Sequence, residues 1–192
     1  MKFIFDIETN GLLSNSSLLS ITYFIIDNKD NIIEKDTRYY YPKEDYNPKA
    51  ISINGLTEKV ITKQRKTAKY SKYFDKDYAF FIDLINKYNI DMFIAHNISF
   101  DIQWMNYILN KIVNKNYNLF CTMHANTNIV KVAWNNYYHS YKWPKLEEAC
   151  KYYKIPFNPK EAHSSEYDVL KTYELYKKTI QYLDNSLLKY CS

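Results

Sequence analysis

Three apolar runs follow one another closely at the start of this chain, and they limit what it can fold into. Lys2 to Ile7 is a short apolar strand that ends in acidic residues, and Leu18 to Ile26 (LLSITYFII) is a second. After the polar turn Asp27-Asn28-Lys29-Asp30-Asn31, Ile32 to Tyr41 continues as a third. Runs of this kind bounded by turn residues read as a three-stranded meander. Pro42 and Pro48 then bracket an irregular stretch. Beyond it the period changes. Tyr78 to Tyr88 has helical spacing through Phe81, Leu84, Ile85 and Tyr88, Asp91 to Ala95 is a brief buried strand, and Phe100 to Val113 is helical. Leu119 to Thr122 supplies a fifth strand, and helices follow at Met123 to Val132, Lys145 to Tyr153 and Ser165 to about Leu183. Strands first, then strands alternating with helices, predict an α/β architecture: a mixed sheet flanked by helices. With no repeat and no linker, residues 1–192 read as a single domain.

Composition removes several classes of function. Hydrophobic residues make up 46% of the chain, which is the range of a folded globular protein. No apolar run approaches the roughly 20 residues of a membrane helix, and MKFIFDIETN is broken by acids too early for a signal peptide. Cys121, Cys150 and Cys191 are far apart and odd in number, so neither a zinc site nor a disulfide framework is indicated, and a reduced, cytoplasmic compartment is expected. The glycines are only two, Gly11 and Gly55. A P-loop and a dinucleotide fingerprint both need clustered glycines so that backbone can approach phosphate. A protein of this composition that handles phosphates must use metals and side chains. Net charge is a mild +5, but Lys59 to Lys76 holds seven basic residues against one acid, a stretch able to follow a phosphate backbone or simply to form a solvated surface. Tyrosine reaches 21, a bias that discounts aromatic counts as functional evidence.

Three short strings carry chemistry. In Asp6-Ile7-Glu8-Thr9 the acids stand two apart on a strand and face the same side. Like charges this close repel unless a cation sits between them, and hard, oxygen-liganded Mg²⁺ or Mn²⁺ fits. In Ala95-His96-Asn97-Ile98-Ser99-Phe100-Asp101 a strand gives way to a helix, with Asp101 in its first turn. An acid there complements the helix dipole in any protein. His96 reads as a packing or hydrogen-bonding residue at a strand end. In His163-Ser164-Ser165-Glu166-Tyr167-Asp168, Ser165 reads as the N-cap, which sets Asp168 at the third helical position and His163 in a turn before it, able to fold back toward the same site.

Taken in order, these strings resemble the DEDD exonucleases of the DEDDh subgroup, the DnaQ-like or RNase T-like family. The resemblance is carried by Phe5-Asp6-Ile7-Glu8-Thr9-Asn10-Gly11-Leu12, by His96 to Asp101, and by His163 with Asp168 five residues on. Ile53-Asn54-Gly55-Leu56-Thr57 resembles the family's loop before its first helix, and Leu146 to Pro156 resembles its helix and turn ahead of the third motif. Asn10 replaces a common threonine, Cys121 stands in a frequent Asp-Thr pair, and Ser165 replaces a usual alanine. The resemblance implies an RNase H-like fold with a five-stranded mixed sheet. It implies two Mg²⁺ or Mn²⁺ ions held by Asp6, Glu8, Asp101 and Asp168, and His163 as the base that activates water. It further implies that Thr9, Asn10, Gly11, Leu12, Asn97 and Phe100 hold the 3′-terminal nucleotide of a DNA or RNA strand. DNA, single-stranded or frayed, is the favoured substrate. An RNA 3′-end trimmer and a non-catalytic nucleic-acid-binding relative are the alternatives. The aromatic-basic stretch Trp134 to Trp143 (WNNYYHSYKW) lies outside these motifs and would suit base stacking, while His124 and His139 receive no role.

Overall fold

In a computed structural model of the chain, which describes residues 1–12, 16–112 and 116–190, the leading apolar runs pair as a meander. β1 (Lys2–Thr9) runs antiparallel to β2 (Leu18–Ile26), and β2 antiparallel to β3 (Ile32–Tyr39). β4 (Met92–Ala95) adds in parallel to the other edge of β1, and β5 (Asn118–Cys121) adds in parallel to β4. The order β3-β2-β1-β4-β5 is the five-stranded mixed sheet the sequence predicts, with β1 at its centre. α4 (Ile98–Leu109) makes the crossover that a parallel β4–β5 pair requires.

Alternation along β1 sorts its side chains between two layers. Phe3, Phe5 and Ile7 join Phe81, Leu84 and Ile85 of α3 (Tyr78–Lys87) and Met105 and Ile108 of α4 in the larger core. Ile4 points to the opposite face, where it meets Phe24, Ile26, Ile94 and, from α7 (Ser165–Tyr190), Val169 and Tyr176. Asp6 and Glu8 share the parity of Ile4, so they stand on the face that α7 covers. Phe3, Phe5 and Phe93 are fully enclosed. Truncating a ring so placed costs about 3–5 kcal/mol, which makes β1 a stiff base for the acids at its end.

Two expectations are corrected. The stretch after Pro42 is not irregular throughout: it holds α1 (Pro48–Asn54) and α2 (Glu58–Gln64). Each has seven residues, too few to show a period, and each is defined by its ends. Asn47 accepts from the Lys49 N–H, Pro48 opens α1, and Gly55 closes it with φ 69°; Thr57 then caps α2 by accepting from Val60. Ile53 and Asn54 are therefore the end of a helix, not loop. Second, α4 starts two residues ahead of Phe100 and ends at Leu109; Val113, expected in that helix, lies outside the described residues, as does Cys191. The Trp134–Trp143 stretch holds a hairpin, β6 (Trp134–Asn135) and β7 (Ser140–Tyr141), between α5 (Thr122–Val130) and α6 (Leu146–Tyr152). Among the described residues no helix is long and apolar enough to cross a membrane.

Both arginines of the chain are spent inside it. Arg38 bonds Asp77 at 2.7 Å and Asp36 at 3.0 Å and lies over the Phe80 ring. Arg65 donates to the carbonyls of Tyr39 and Tyr70 and stacks on the Tyr70 ring. Arg65 thus leaves the basic stretch on offer to a phosphate backbone, whereas Lys59, Lys63 and Lys66 stay exposed.

His96 fastens the two parallel strands to the hairpin. Its Nδ1 pairs with the Thr122 hydroxyl at 2.9 Å and its Nε2 with the Pro144 carbonyl at 3.1 Å. Burial lowers its pKa from 6.5 to about 4, the Pro144 carbonyl opposing. The neutral ring is the one that fits, so its stabilisation is complete above pH 6.5 and is lost as pH falls through 4. Thermal unfolding between pH 7 and 4 should show the unsubstituted chain losing its stability advantage over His96→Gln as pH falls. An unchanged slope in that variant would remove His96 from the account.

Candidate active site

β1 outlasts its parallel neighbour. The β1–β4 pairing ends at Ile4 with Ile94, while β1 continues to Thr9. That leaves backbone of β1 without a strand partner on one side, and α4 fills the gap from its first turn: the Asp101 carboxylate accepts from the Ile7 N–H. Asp101 is 4% exposed. Its position is fixed both by the helix start and by the unfinished edge of the central strand.

Asp168 arrives from the other layer. α7 begins at Ser165, and the Asp168 N–H donates to the Ser164 carbonyl at 2.8 Å, so Ser164 occupies the cap position expected of Ser165. Ser165 is instead the first helical residue and turns inward. Its buried hydroxyl meets Ser20 at 3.0 Å and Thr22 at 2.9 Å, both on β2. This hydroxyl cluster and the packing of Val169 hold the first turn of α7 against the sheet. The serine in place of the family's usual alanine is thus used. Asp168 Oδ2 accepts from the His163 backbone N–H at 3.0 Å, while its Oδ1 is buried without a protein partner. His163 itself is exposed and adopts φ 64°, a left-handed turn that leaves its ring beside the acids.

The four acids and His163 converge. Ligand atoms of Glu8, His163 and Asp168 lie within 4.8 Å of one another. Asp6 is pushed well above the ordinary carboxylate range by burial and then by the charges of Asp101, Glu8 and Asp168. Glu8 rises to about 8 through burial and Asp168, opposed by the Asn54 amide. Asp101 rises to about 7 through burial, opposed by the Ile7 N–H. Asp168 is raised by burial, with the His163 N–H opposing. Among the described residues no lysine or arginine offsets these charges, and the inward oxygen of Asp168 lacks a donor. An all-oxygen set with one ring nitrogen at its rim fits hard divalent cations.

Residues 3–176 match the model of the exonuclease family of the RNase T type. The chain belongs to that family. It is 25% identical over 180 residues to the PolC-type DNA polymerase III of Ureaplasma parvum serovar 3, a match that spans 91% of this chain and 11% of that polymerase. The chain therefore corresponds to a small part of the relative's length. Among solved structures it is similar to exonuclease X in complex with 5′-overhanging duplex DNA (TM-score 0.63, 20% identity, 94% of this chain and 92% of that one). It is also similar to E. coli exonuclease I in complex with a dT13 oligonucleotide (TM-score 0.70, 17% identity, 98% and 42%). These likenesses show the RNase H-like, DnaQ-like exonuclease fold.

Around the acids the remaining residues separate by what they offer. Thr9 is buried, its hydroxyl donating to the Gly11 carbonyl at 2.7 Å. Asn10 is 2% exposed, and its amide is fully engaged with Glu44, the Asp45 carbonyl and the Asn47 N–H. Its side chain shapes the loop from within and is not presented to the cleft. Gly11 sits where an added Cβ would lie 2.6 Å from the Ser16 hydroxyl. Leu12 is 82% exposed. Asn97 is exposed and does not cap α4, and Phe100 is half-buried with its ring 4.8 Å from that of Trp104. Sequence reasoning missed Asn54 as a site residue. Its amide donates to the Thr9 carbonyl at 3.1 Å and lies against Glu8. Its only signal was a place before Gly55. Ile53, Asn54, Lys160, His163 and Tyr167 line the open cleft beside the acids.

Without a cation the cluster opposes folding. The raised carboxyl pKa values mean that stability in chelator is full below about pH 4 and is lost as pH rises through 7 and 8. Asp6→Asn removes one of the repelling charges. In EDTA above pH 7 this variant should melt at a higher temperature than the unsubstituted chain, and Mg²⁺ or Mn²⁺ should stabilise the unsubstituted chain far more. A lower melting temperature for Asp6→Asn in EDTA would contradict net repulsion.

Proposed function

We propose that this exonuclease removes nucleotides from the 3′ ends of nucleic-acid strands as 5′-mononucleotides, with single-stranded or frayed DNA as the favoured substrate. The observation that carries the reading is the convergence of four mutually raised carboxylates with one exposed histidine at the open end of the central strand. Asp6, Glu8, Asp101 and Asp168 would hold two Mg²⁺ or Mn²⁺ ions. When bound, such a pair stabilises the attacking and leaving oxygens of an in-line displacement.

The chain's own groups do the rest. His163 is the base: a ring nitrogen accepts a proton from water as its oxygen bonds to phosphorus and the bond from phosphorus to the 3′-oxygen breaks. The shortened strand keeps a 3′-hydroxyl and the released nucleotide keeps the 5′-phosphate. Histidine is the side chain most often placed to take a proton in this way. Thr9, Gly11, Leu12, Asn97 and Phe100 hold the terminal nucleotide, with Asn10 and Asn54 fixing the loop and the helix end on either side of it. Leu12 and Phe100 supply apolar faces for bases. Residues 1–192 act as one exonuclease domain.

Digestion of end-labelled single-stranded DNA, duplex DNA and RNA tests the reading. Shortening from the labelled strand's 3′ end, dependent on Mg²⁺ or Mn²⁺ and absent in EDTA, is expected; full activity in EDTA would sink it, and faster loss of RNA would move the substrate to RNA. His163→Ala should lower the rate by roughly 10²–10⁴-fold while metal and strand binding persist. Asp6→Ala should lose metal affinity as well as rate. Wild-type turnover in His163→Ala at saturating metal would take the proton transfer away from His163.

A further inference from the structure

The β6–β7 hairpin displays rings that the core does not use. Trp134 pairs with Tyr141 across it and Asn135 with Ser140. Trp134 is 52% exposed, Tyr137 83%, Tyr138 72% and Trp143 60%. The tip is ordered by its own bonds, the Asn135 side chain accepting from the Tyr137 and Tyr138 N–H groups. The rings are also supported from beneath: Trp143 packs on His124 at 4.8 Å and Trp134 on Tyr141 at 5.0 Å. Rings held rigidly in water lose little freedom when a flat ligand settles on them.

Its place in the fold gives the hairpin a partner. The Pro144 carbonyl, at the hairpin's base, is bonded to His96. Two residues past the last paired positions, Ile4 and Ile94, β1 reaches Asp6 and the β4 chain reaches His96, on the same face of the sheet. Neighbouring strands lie about 4.8 Å apart. The hairpin therefore rises from the same rim as the catalytic acids, one strand further along. Its charge agrees. From Ile102 to Leu146 the sequence contains no aspartate or glutamate, while 21 acids are spread over the other residues. Lys131 and Lys145 are exposed at the hairpin's two ends, and Lys142 pairs with Glu148 from outside this span.

We propose that this hairpin is a stacking platform for the single-stranded stretch behind the 3′ end, its Trp134, Tyr138 and Trp143 rings taking bases and Lys131 and Lys145 the phosphates. The proposal rests on the nuclease reading above. A ring-rich surface next to the cleft, without acids to repel phosphate and nearly without aliphatic side chains, matches sequence-tolerant strand binding.

Kinetics on a thymidylate tetramer and a sixteen-residue thymidylate strand, with Mg²⁺, test it. Trp134→Ala with Tyr138→Ala should raise KM for the long strand roughly tenfold or more relative to the tetramer. Trp134→Phe with Tyr138→Phe keeps the π-faces and should retain most of the length preference. If the unsubstituted chain degrades neither strand, this proposal and the nuclease reading fail together. If it degrades both and the alanine pair leaves the ratio of the two KM values unchanged, or the phenylalanine pair loses as much as the alanine pair, the platform alone is overturned. A change only in oligomeric state by light scattering would give the rings to a second copy of the chain and likewise overturn it.

Discussion

Carboxylates do not gather in a protein interior of their own accord, and the architecture of this member of the exonuclease family is organised around forcing four of them together. Burial raises every one, and each sits within reach of another's charge. The free energy for that crowding comes from elsewhere, chiefly from the phenylalanine-rich layer under β1 and the helices that close on both faces of the sheet. A cation would turn the same crowding into affinity, because the charges that repel one another would all attract it. Under the proposed reading, instability without a cation and affinity for one would follow from the same arrangement.

Each acid is held by a different device, so no single element can relax the cluster. Asp6 and Glu8 are set by strand parity. Asp101 is set by the amide that β4 leaves unpaired when it ends before β1. Asp168 is set by three buried hydroxyls and by the backbone of a left-handed residue. Asn54 braces Glu8 from the end of a seven-residue helix capped by Gly55. Small errors in any one of these would be resisted by the others, which is what a site of this chemistry requires of its supports.

The strands, the longer helices and the acids were legible in the sequence because each is a local pattern: parity along β1, a helical period over Phe81 to Tyr88, an acid in a first turn. What escaped was either too short to have a period or made by residues far apart. α1 and α2 are defined by Asn47, Pro48, Gly55 and Thr57, a set of end signals that was present but unread. The hairpin strands have two residues each, below any alternation. Ser165 looked like a cap because serine usually is one; its partners Ser20 and Thr22 lie more than 140 positions away and leave no local trace. Asn10 looked like a ligand-facing residue by its motif, and only the course of the 44–47 loop shows that its amide is consumed inside.

The engagement of both arginines within the fold reaches further than the packing they stabilise. A guanidinium grips phosphate through a planar fork whose two bonds must be aligned together, whereas an ammonium is a compact charge with donors that rotate. With Arg38 and Arg65 locked against Asp77 and the Tyr39 and Tyr70 carbonyls, the permanently charged side chains left on the surface are all lysines. Contacts of that kind depend on distance more than on direction. Under the proposed reading, a strand held by lysines would advance by one nucleotide and meet an equivalent set of attractions without first breaking a fixed geometry, loosely gripped along its path and strictly placed only at the acids.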